Sequence, residues 1–256
     1  MRYAVIGDPI AHSLSPLIHT AGFATLDIDA VYDRIRVPAG RFDEVVVRLR
    51  NGDLTGINVT MPHKHAAYLS VDRRTVPAER TAAVNTIVVS DGILHGDNTD
   101  VAGIQFGLEE LGVPTDAPIL VLGAGGAAGA ALLACADRPV SVSARRREAV
   151  GQMVQRIDVE AGSVPWGVPV PGAVVVNATP LGMHGEDLPD GIIERAAGYL
   201  DTTYGHAAPA RLRAAECGIP VTDGRSVLLG QAIAAFRRFT GREAPVAAMR
   251  AALDAR

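Results

Sequence analysis

The residues able to do chemistry fall in short clusters beside predicted strands and helix starts. Ser13 and Ser15 stand two apart in His12-Ser13-Leu14-Ser15-Pro16, at the opening of a predicted helix. Two hydroxyls beside a helix N-terminus make a neutral cradle for a small carboxylate. Ser15 also suits an N-cap, with Pro16 at the first helical position, and that role leaves Ser13 without a structural reason. Further on comes Asn58-Val59-Thr60-Met61-Pro62-His63-Lys64. Strand alternation puts Asn58 and Thr60 on one face at a carboxyl end, where open α/β sheets take ligands. Lys64 begins the next helix, where a cation works against the helix dipole. A solvated side chain is the ordinary reading of any single lysine; the company of Asn58 and Thr60 lifts this one above it. Asn85 and the run Gly96-Asp97-Asn98-Thr99-Asp100 add more polar groups than capping the following helix requires.

A second kind of cluster begins where Ile119–Leu122 runs into Gly123-Ala124-Gly125-Gly126-Ala127-Ala128. This is G-x-G-x-x-A between a strand and a helix. Gly123 permits the tight turn, Gly125 lets backbone approach a pyrophosphate, and small Ala128 allows close helix–strand packing. The helix N-terminus turns unpaired N–H groups toward the phosphates. About 20 residues on, a site for NAD would place Asp or Glu against a ribose hydroxyl. This chain has Ser143-Ala144-Arg145-Arg146-Arg147 there. Guanidiniums at that point hold a 2′-phosphate by bidentate hydrogen bonds, so the spacing predicts NADP, with Arg145 the first choice.

The elements that must position these groups alternate. Tyr3–Gly7, Val31–Val37, Gly56–Thr60 and Thr86–Ser90 read as strands, with helices over Pro16–Leu26 and Arg41–Arg50. A connecting helix follows over Val101–Leu111. Then come strands Ile119–Leu122, Val140–Ser143, Val174–Asn177, Leu200–Thr203 and Ile219–Thr222, with helices Gly126–Ala136, Arg147–Arg156 and Val227–Phe239. Such alternation predicts an α/β fold with parallel strands and crossover helices. The expected division is residues 1–100 plus 225–256 as one domain and 101–224 as a Rossmann-type, doubly wound domain.

Composition narrows the class. The 256 residues carry a net charge of -4, which invites neither nucleic acid nor an anionic membrane. The N-terminal apolar run is too short for a signal peptide, and the most apolar long stretch is broken by glycines. Cys135 and Cys217 form no CxxC pair and read as two buried or inert thiols of a reduced, cytoplasmic protein. The seven histidines show no metal-ligand spacing, so no metal site is expected. No G-x-S-x-G elbow or Walker lysine occurs.

Taken in order, these motifs resemble one family over essentially the whole chain: shikimate dehydrogenase. To the clusters already named, the resemblance adds Asn85-Thr86, Asn177-Ala178-Thr179-Pro180-Leu181-Gly182-Met183, Asp223-Gly224 and Gln231-Ala232. It implies an N-terminal substrate domain completed by C-terminal helices returning after the cofactor domain. It implies that Ser13 and Ser15 hold the substrate carboxylate. Thr60, Asn85, Asp100 and Gln231 would meet the ring hydroxyls, with Asn58 and Tyr204 on the substrate side. Lys64 would be the acid–base group and Asp100 its partner. Thr179, Thr202 and Gly224 would join Gly123–Ala128 and Ala144–Arg146 at the cofactor. The implied reaction is the reversible NADPH-dependent reduction of 3-dehydroshikimate to shikimate, on the route to chorismate and aromatic amino acids. The chain departs from the family's usual Asn-Arg-Thr at the 2′-phosphate, having Ala144-Arg145-Arg146, and has Val227 where Met is common. A quinate or aminoshikimate dehydrogenase would share every motif. A non-catalytic NADP-binding sensor would need neither Lys64 nor Asp100. The partner is a small molecule, and monomer and homodimer both stay open.

Overall fold

A computed structural model describes residues 1–204 and 208–255. The chain divides into two units, Met1–Thr99 with Gln231–Arg256, and Asp100–Gly230. The return therefore falls inside a helix rather than at its first residue.

The first unit contains β1 (Arg2–Gly7), α1 (Ser15–Thr25), β2 (Val31–Arg36), α2 (Phe42–Arg50), β3 (Gly56–Val59), α3 (Lys64–Ser70), β4 (Arg73–Arg74), α4 (Val76–Thr81), β5 (Thr86–Ser90) and β6 (Ile93–Asp97). They form one six-stranded sheet in the order β2-β1-β3-β5-β6-β4. The pairing of β3 with β5 and of β5 with β6 is antiparallel, and the other pairings are parallel. The expectation of parallel strands throughout thus fails here. A two-residue turn between Ser90 and Ile93 replaces the crossover helix that a parallel partner would need. Alternation along β1 divides the core. Ala4 and Ile6 pack with Phe42, Leu49, Ile57, Ile87 and Leu94 on one face. Tyr3 on the other face stacks on Phe23, lies tilted against Phe239 and donates to the Phe239 carbonyl oxygen at 3.0 Å.

The second unit runs α5 (Asp100–Leu111), β7 (Ile119–Leu122), α6 (Gly126–Ala134), β8 (Val140–Ser143), α7 (Arg147–Ile157), β9 (Gly162–Val164), β10 (Val174–Asn177), β11 (Gly198–Asp201), α8 (Pro209–Glu216) and β12 (Val221–Thr222). Its sheet order is β12-β11-β10-β7-β8-β9, parallel throughout. Counted from β7, that is the doubly wound dinucleotide-binding order, with its switch point between β7 and β10. Strands β7, β10 and β11 are buried from end to end; β7 is wholly apolar, while β10 and β11 each end in a buried polar residue, Asn177 and Asp201. Helix α9 (Gly224–Thr240) leaves this unit and α10 (Val246–Asp254) closes the chain against α1.

Of the two cysteines, expected to be buried or inert, Cys135 is buried, and burial pushes its thiol up to about 12, while Cys217 is exposed; both are free. Among the described residues no helix is long and apolar enough to cross a membrane, and no group of three His, Cys, Asp or Glu side chains could hold a metal. His206 lies outside the described residues.

Candidate active site

In the first unit the site residues sit where β1, β3 and the approach to β5 end. Ser15 is not the N-cap of α1 but its first helical residue; Leu14 occupies the cap without a side-chain bond. The Ser15 hydroxyl is thereby released from capping. The Ser13 hydroxyl donates to it at 3.3 Å and accepts the Ser15 N–H at 3.3 Å, and both serines are buried. The loop is held from outside by Arg34, whose guanidinium donates twice to the Ser13 carbonyl oxygen, at 2.8 and 2.6 Å.

Thr60 follows the last residue of β3, and its N–H extends the ladder to the Ile6 carbonyl oxygen at 2.9 Å. Lys64 is the first residue of α3, after His63 at the cap. Buried His63 presents Nε2 to the Val37 carbonyl oxygen at 2.6 Å, so that nitrogen carries the hydrogen. The Lys64 carbonyl accepts the Val84 N–H at 3.0 Å, which ties the lysine's backbone to the segment carrying Asn85.

Asn58 and Asn85 belong to a buried polar network. The Tyr32 hydroxyl donates to Asn58 Oδ1 at 2.5 Å. Asn58 Nδ2 donates to Thr86 Oγ1 at 3.0 Å and to the Asn85 carbonyl oxygen at 3.3 Å. Both amide hydrogens of Asn58 are thus used within the protein. Asn85 Oδ1 accepts from the Thr86 hydroxyl at 2.9 Å, the Thr99 N–H at 2.8 Å and the Thr99 hydroxyl at 3.0 Å. Its oxygen is thus committed within the protein. Gln231, in α9, is a buried polar residue of this same unit. Sequence reasoning missed Tyr32 and Arg34. Their signal was weak: two polar-headed residues at i, i+2 on a short strand, one face toward the serines and asparagines.

The other predicted residues lie in the second unit. Asp100 opens α5, where a carboxylate suits the helix dipole. Tyr204 follows β11. Gly123 has φ +116, and a Cβ there would stand 2.9 Å from the Ala178 carbonyl oxygen, so only glycine fits this turn. Gly125 caps α6 without a side chain. Built Cβ atoms on Gly125 and Gly126 meet nothing within 4 Å, so the helix N-terminus opens on free space, while Ala128 is fully buried against the sheet. Ala124 and Ala127 are half-buried, as is Ala144 after β8. Arg145, Arg146 and Arg147 are exposed, and none has an ion-pair partner among the described residues. An uncapped helix start facing open space, with unanswered guanidiniums at the end of the neighbouring strand, fits a dinucleotide with a 2′-phosphate.

The loops after β10 and β11 are braced together. The Thr179 hydroxyl donates to Asn177 Oδ1 at 2.6 Å, and the Thr202 hydroxyl donates to the Asn177 carbonyl oxygen at 2.8 Å. A Cβ on Gly224 would lie 2.6 Å from the Thr202 carbonyl oxygen, so the start of α9 presses on that strand end. Beneath them Asp201 is fully buried. Burial raises its carboxyl above the usual range, while Thr203, the Arg211 guanidinium and Asn177 work against that rise. Thr203 N–H and Asn177 Nδ2 donate to its Oδ1 at 3.0 and 3.2 Å, and Arg211 Nε stands 3.5 Å from Oδ2. Sequence reasoning missed this brace too. A polar residue ending an apolar strand was its only sign.

Fold and site together define a two-unit nucleotide-dependent dehydrogenase. The profile of the shikimate dehydrogenase substrate binding domain matches residues 5–87, and that of the shikimate 5'-dehydrogenase C-terminal domain matches residues 224–253. A shikimate dehydrogenase (NADP(+)) of Nitrosopumilus maritimus is 35% identical over 98% of this chain and 97% of its own. The shikimate 5-dehydrogenase of Thermus thermophilus, solved with NADP(H) and shikimate, is 30% identical, with a TM-score of 0.90 over 100% of this chain and 99% of that one. The Listeria monocytogenes shikimate 5-dehydrogenase, solved with shikimate and NAD, is 28% identical, with a TM-score of 0.86 over 98% and 96%. The chain belongs to the shikimate dehydrogenase family.

Proposed function

We propose that this chain catalyses the reversible, NADP-dependent interconversion of 3-dehydroshikimate and shikimate in the cytoplasm. The first unit is the substrate domain and the second the cofactor domain. The observation that carries this reading is the whole-length likeness to NADP-dependent shikimate dehydrogenases in a chain that has both the buried Ser13/Ser15 pair and arginines after β8 with no ion-pair partner among the described residues.

When bound, NADPH supplies the hydride for the ketone carbon. The chain's own residues do the rest. Ser13 and Ser15 bind the substrate carboxylate. Thr60, Asn85, Asp100 and Gln231 fix the ring through its hydroxyls, with Tyr204 on the same side. Asn58 acts from behind by holding Thr86 and the Asn85 backbone. Lys64 as an ammonium polarises the carbonyl and gives a proton to its oxygen as the alcohol forms. In the oxidising direction neutral Lys64 takes that proton back, with Asp100 as its partner. Gly123–Ala128 receive the pyrophosphate, Arg145 and Arg146 with Ala144 enclose the 2′-phosphate, and Thr179, Thr202 and Gly224 shape the nicotinamide end.

Purified protein mixed with NADP or NAD and with shikimate or quinate, followed by near-ultraviolet absorbance, tests the reading. Turnover with shikimate and NADP well above the other pairs is expected. Equal turnover of quinate overturns the substrate assignment, and no turnover despite NADP binding overturns the enzyme. Lys64→Ala is expected to cut kcat by about 10²–10⁴-fold with shikimate binding little changed. Lost binding with near-normal kcat would remove Lys64 from the acid–base role.

A further inference from the structure

The first unit also holds a half-open cavity of about 420 Å³, lined by Thr86 and Asp97 of the polar network but by none of the residues assigned to substrate or cofactor. Its floor follows from strand register. Arg73 of β4 stands beside His95 of β6, and His95 beside Val88 of β5, so the three form one cross-strand row. One pleat along, Asp97 pairs with Thr86. Arg238 of α9 walls the cavity above Asp97, and Ser90 lies at its far end.

The charges in it do not balance. Asp97 is answered: its Oδ1 accepts the Thr75 hydroxyl and the Asn98 N–H, and its Oδ2 accepts Arg238 Nε at 2.7 Å. Arg74 turns elsewhere, donating to the Tyr68 carbonyl oxygen at 2.7 Å with its guanidinium 4.5 Å over the Tyr68 ring. The Arg73 guanidinium, the amino groups of Arg238 beyond Nε, and the His95 ring have no hydrogen-bond partner among the described residues. Solvation accounts for one exposed arginine. It does not account for the Arg73 fork and the remaining amino groups of Arg238 lining one concavity beside the His95 ring, where the field is focused.

We propose that this cavity is a second ligand site, which takes the phosphate of a small phosphomonoester. Asp97 already neutralises Arg238, so a phosphomonoester, with about -1.5 to -2 charges near neutral pH, answers Arg73 and offers the remaining Arg238 amino groups strong acceptor oxygens. Guanidinium forks match phosphate oxygens bidentately, and the Ser90 hydroxyl adds a neutral contact. Val88 gives the organic part an apolar floor. The site uses none of the side chains assigned to substrate or cofactor, and it meets the polar network behind them at Thr86.

Isothermal titration of the full chain with phenyl phosphate at fixed ionic strength tests it, repeated with saturating NADP and separately with saturating shikimate. One equivalent is expected to bind, with affinity changed less than twofold by either addition and by Arg145→Ala. Exposed Arg73→Ala is expected to weaken binding at least 10-fold, with an unchanged melting temperature showing that the fold survives. No binding, binding displaced by NADP or lost in Arg145→Ala, or binding unaffected by Arg73→Ala would overturn the site. Malonate binding as tightly as phenyl phosphate would overturn the phosphate assignment.

Discussion

The imidazole of His19 lies flat on the ring of Tyr32, centroids 4.4 Å apart and planes 2° from parallel. Phe23, Phe236 and Phe239 close round it, and neither ring nitrogen has a hydrogen-bond partner. An imidazole so enclosed stays neutral, and burial lowers its pKa to about 3. The same Tyr32 holds Asn58 through its hydroxyl, so an aromatic core and the polar network behind the site share one side chain.

The stability of the protein is therefore expected to fall as the solution is acidified below about pH 6.5. The unfolded chain binds a proton on His19 there and the folded one does not, so stability rises with pH between about 3 and 6.5 and is fully present above that window. The full effect is on the order of 5 kcal/mol. Urea unfolding from pH 7 to pH 5 checks it. His19→Phe, which keeps an aromatic ring against Tyr32, is expected to flatten the dependence; an unaltered slope in that variant would assign it to other groups.

Tyr32→Phe removes the donor to Asn58 Oδ1 and leaves a buried carbonyl short of a partner. A loss of about 1–3 kcal/mol of stability is expected. Because Asn58 in turn holds Thr86 and the Asn85 backbone, kcat/KM for shikimate is expected to drop about 10-fold while NADP affinity stays put. Calorimetric melting and steady-state kinetics separate the two effects.

Arg145→Ala is expected to raise KM for NADP by about 10–100-fold, the worth of one or two charge-assisted hydrogen bonds, and to leave KM for NAD unchanged. An equal loss with both cofactors would place Arg145 on the pyrophosphate instead of the 2′-phosphate.

Gly123→Ala forces a side chain into a backbone at φ +116 and against the Ala178 carbonyl oxygen. NADP binding is expected to weaken at least 10-fold, since the turn must open to admit the methyl group. Shikimate binding, read by titration without cofactor, is expected to remain.

Much of this architecture is legible in the residues alone, and for local reasons. Ile119–Leu122 and residues 174–176 read as strand because a parallel strand buried on both faces is a run of apolar, largely β-branched residues, and Val140–Ser143 because Val alternates with Ser. Gly123–Ala128 reads as a phosphate turn because a left-handed backbone and a close helix leave few residue choices. Chemistry clustered within a few residues, such as Ser13 with Ser15 or Asn58 through Lys64, is visible for the same reason. What only the tertiary structure decided is whatever depends on distant partners. The short strands Arg73–Arg74 and Ile93–Asp97 have no pattern of their own and exist because neighbouring edges pair with them. Ser15 lost its capping role when the helix began one residue early. His19 looks like any helical histidine until four aromatic rings enclose it. Arg238 meets Asp97 across 141 residues of chain. Spacing along a sequence sets which groups share a face. Which faces meet, and therefore which charges are answered and which are left for a ligand, is set by the packing of elements far apart in the chain.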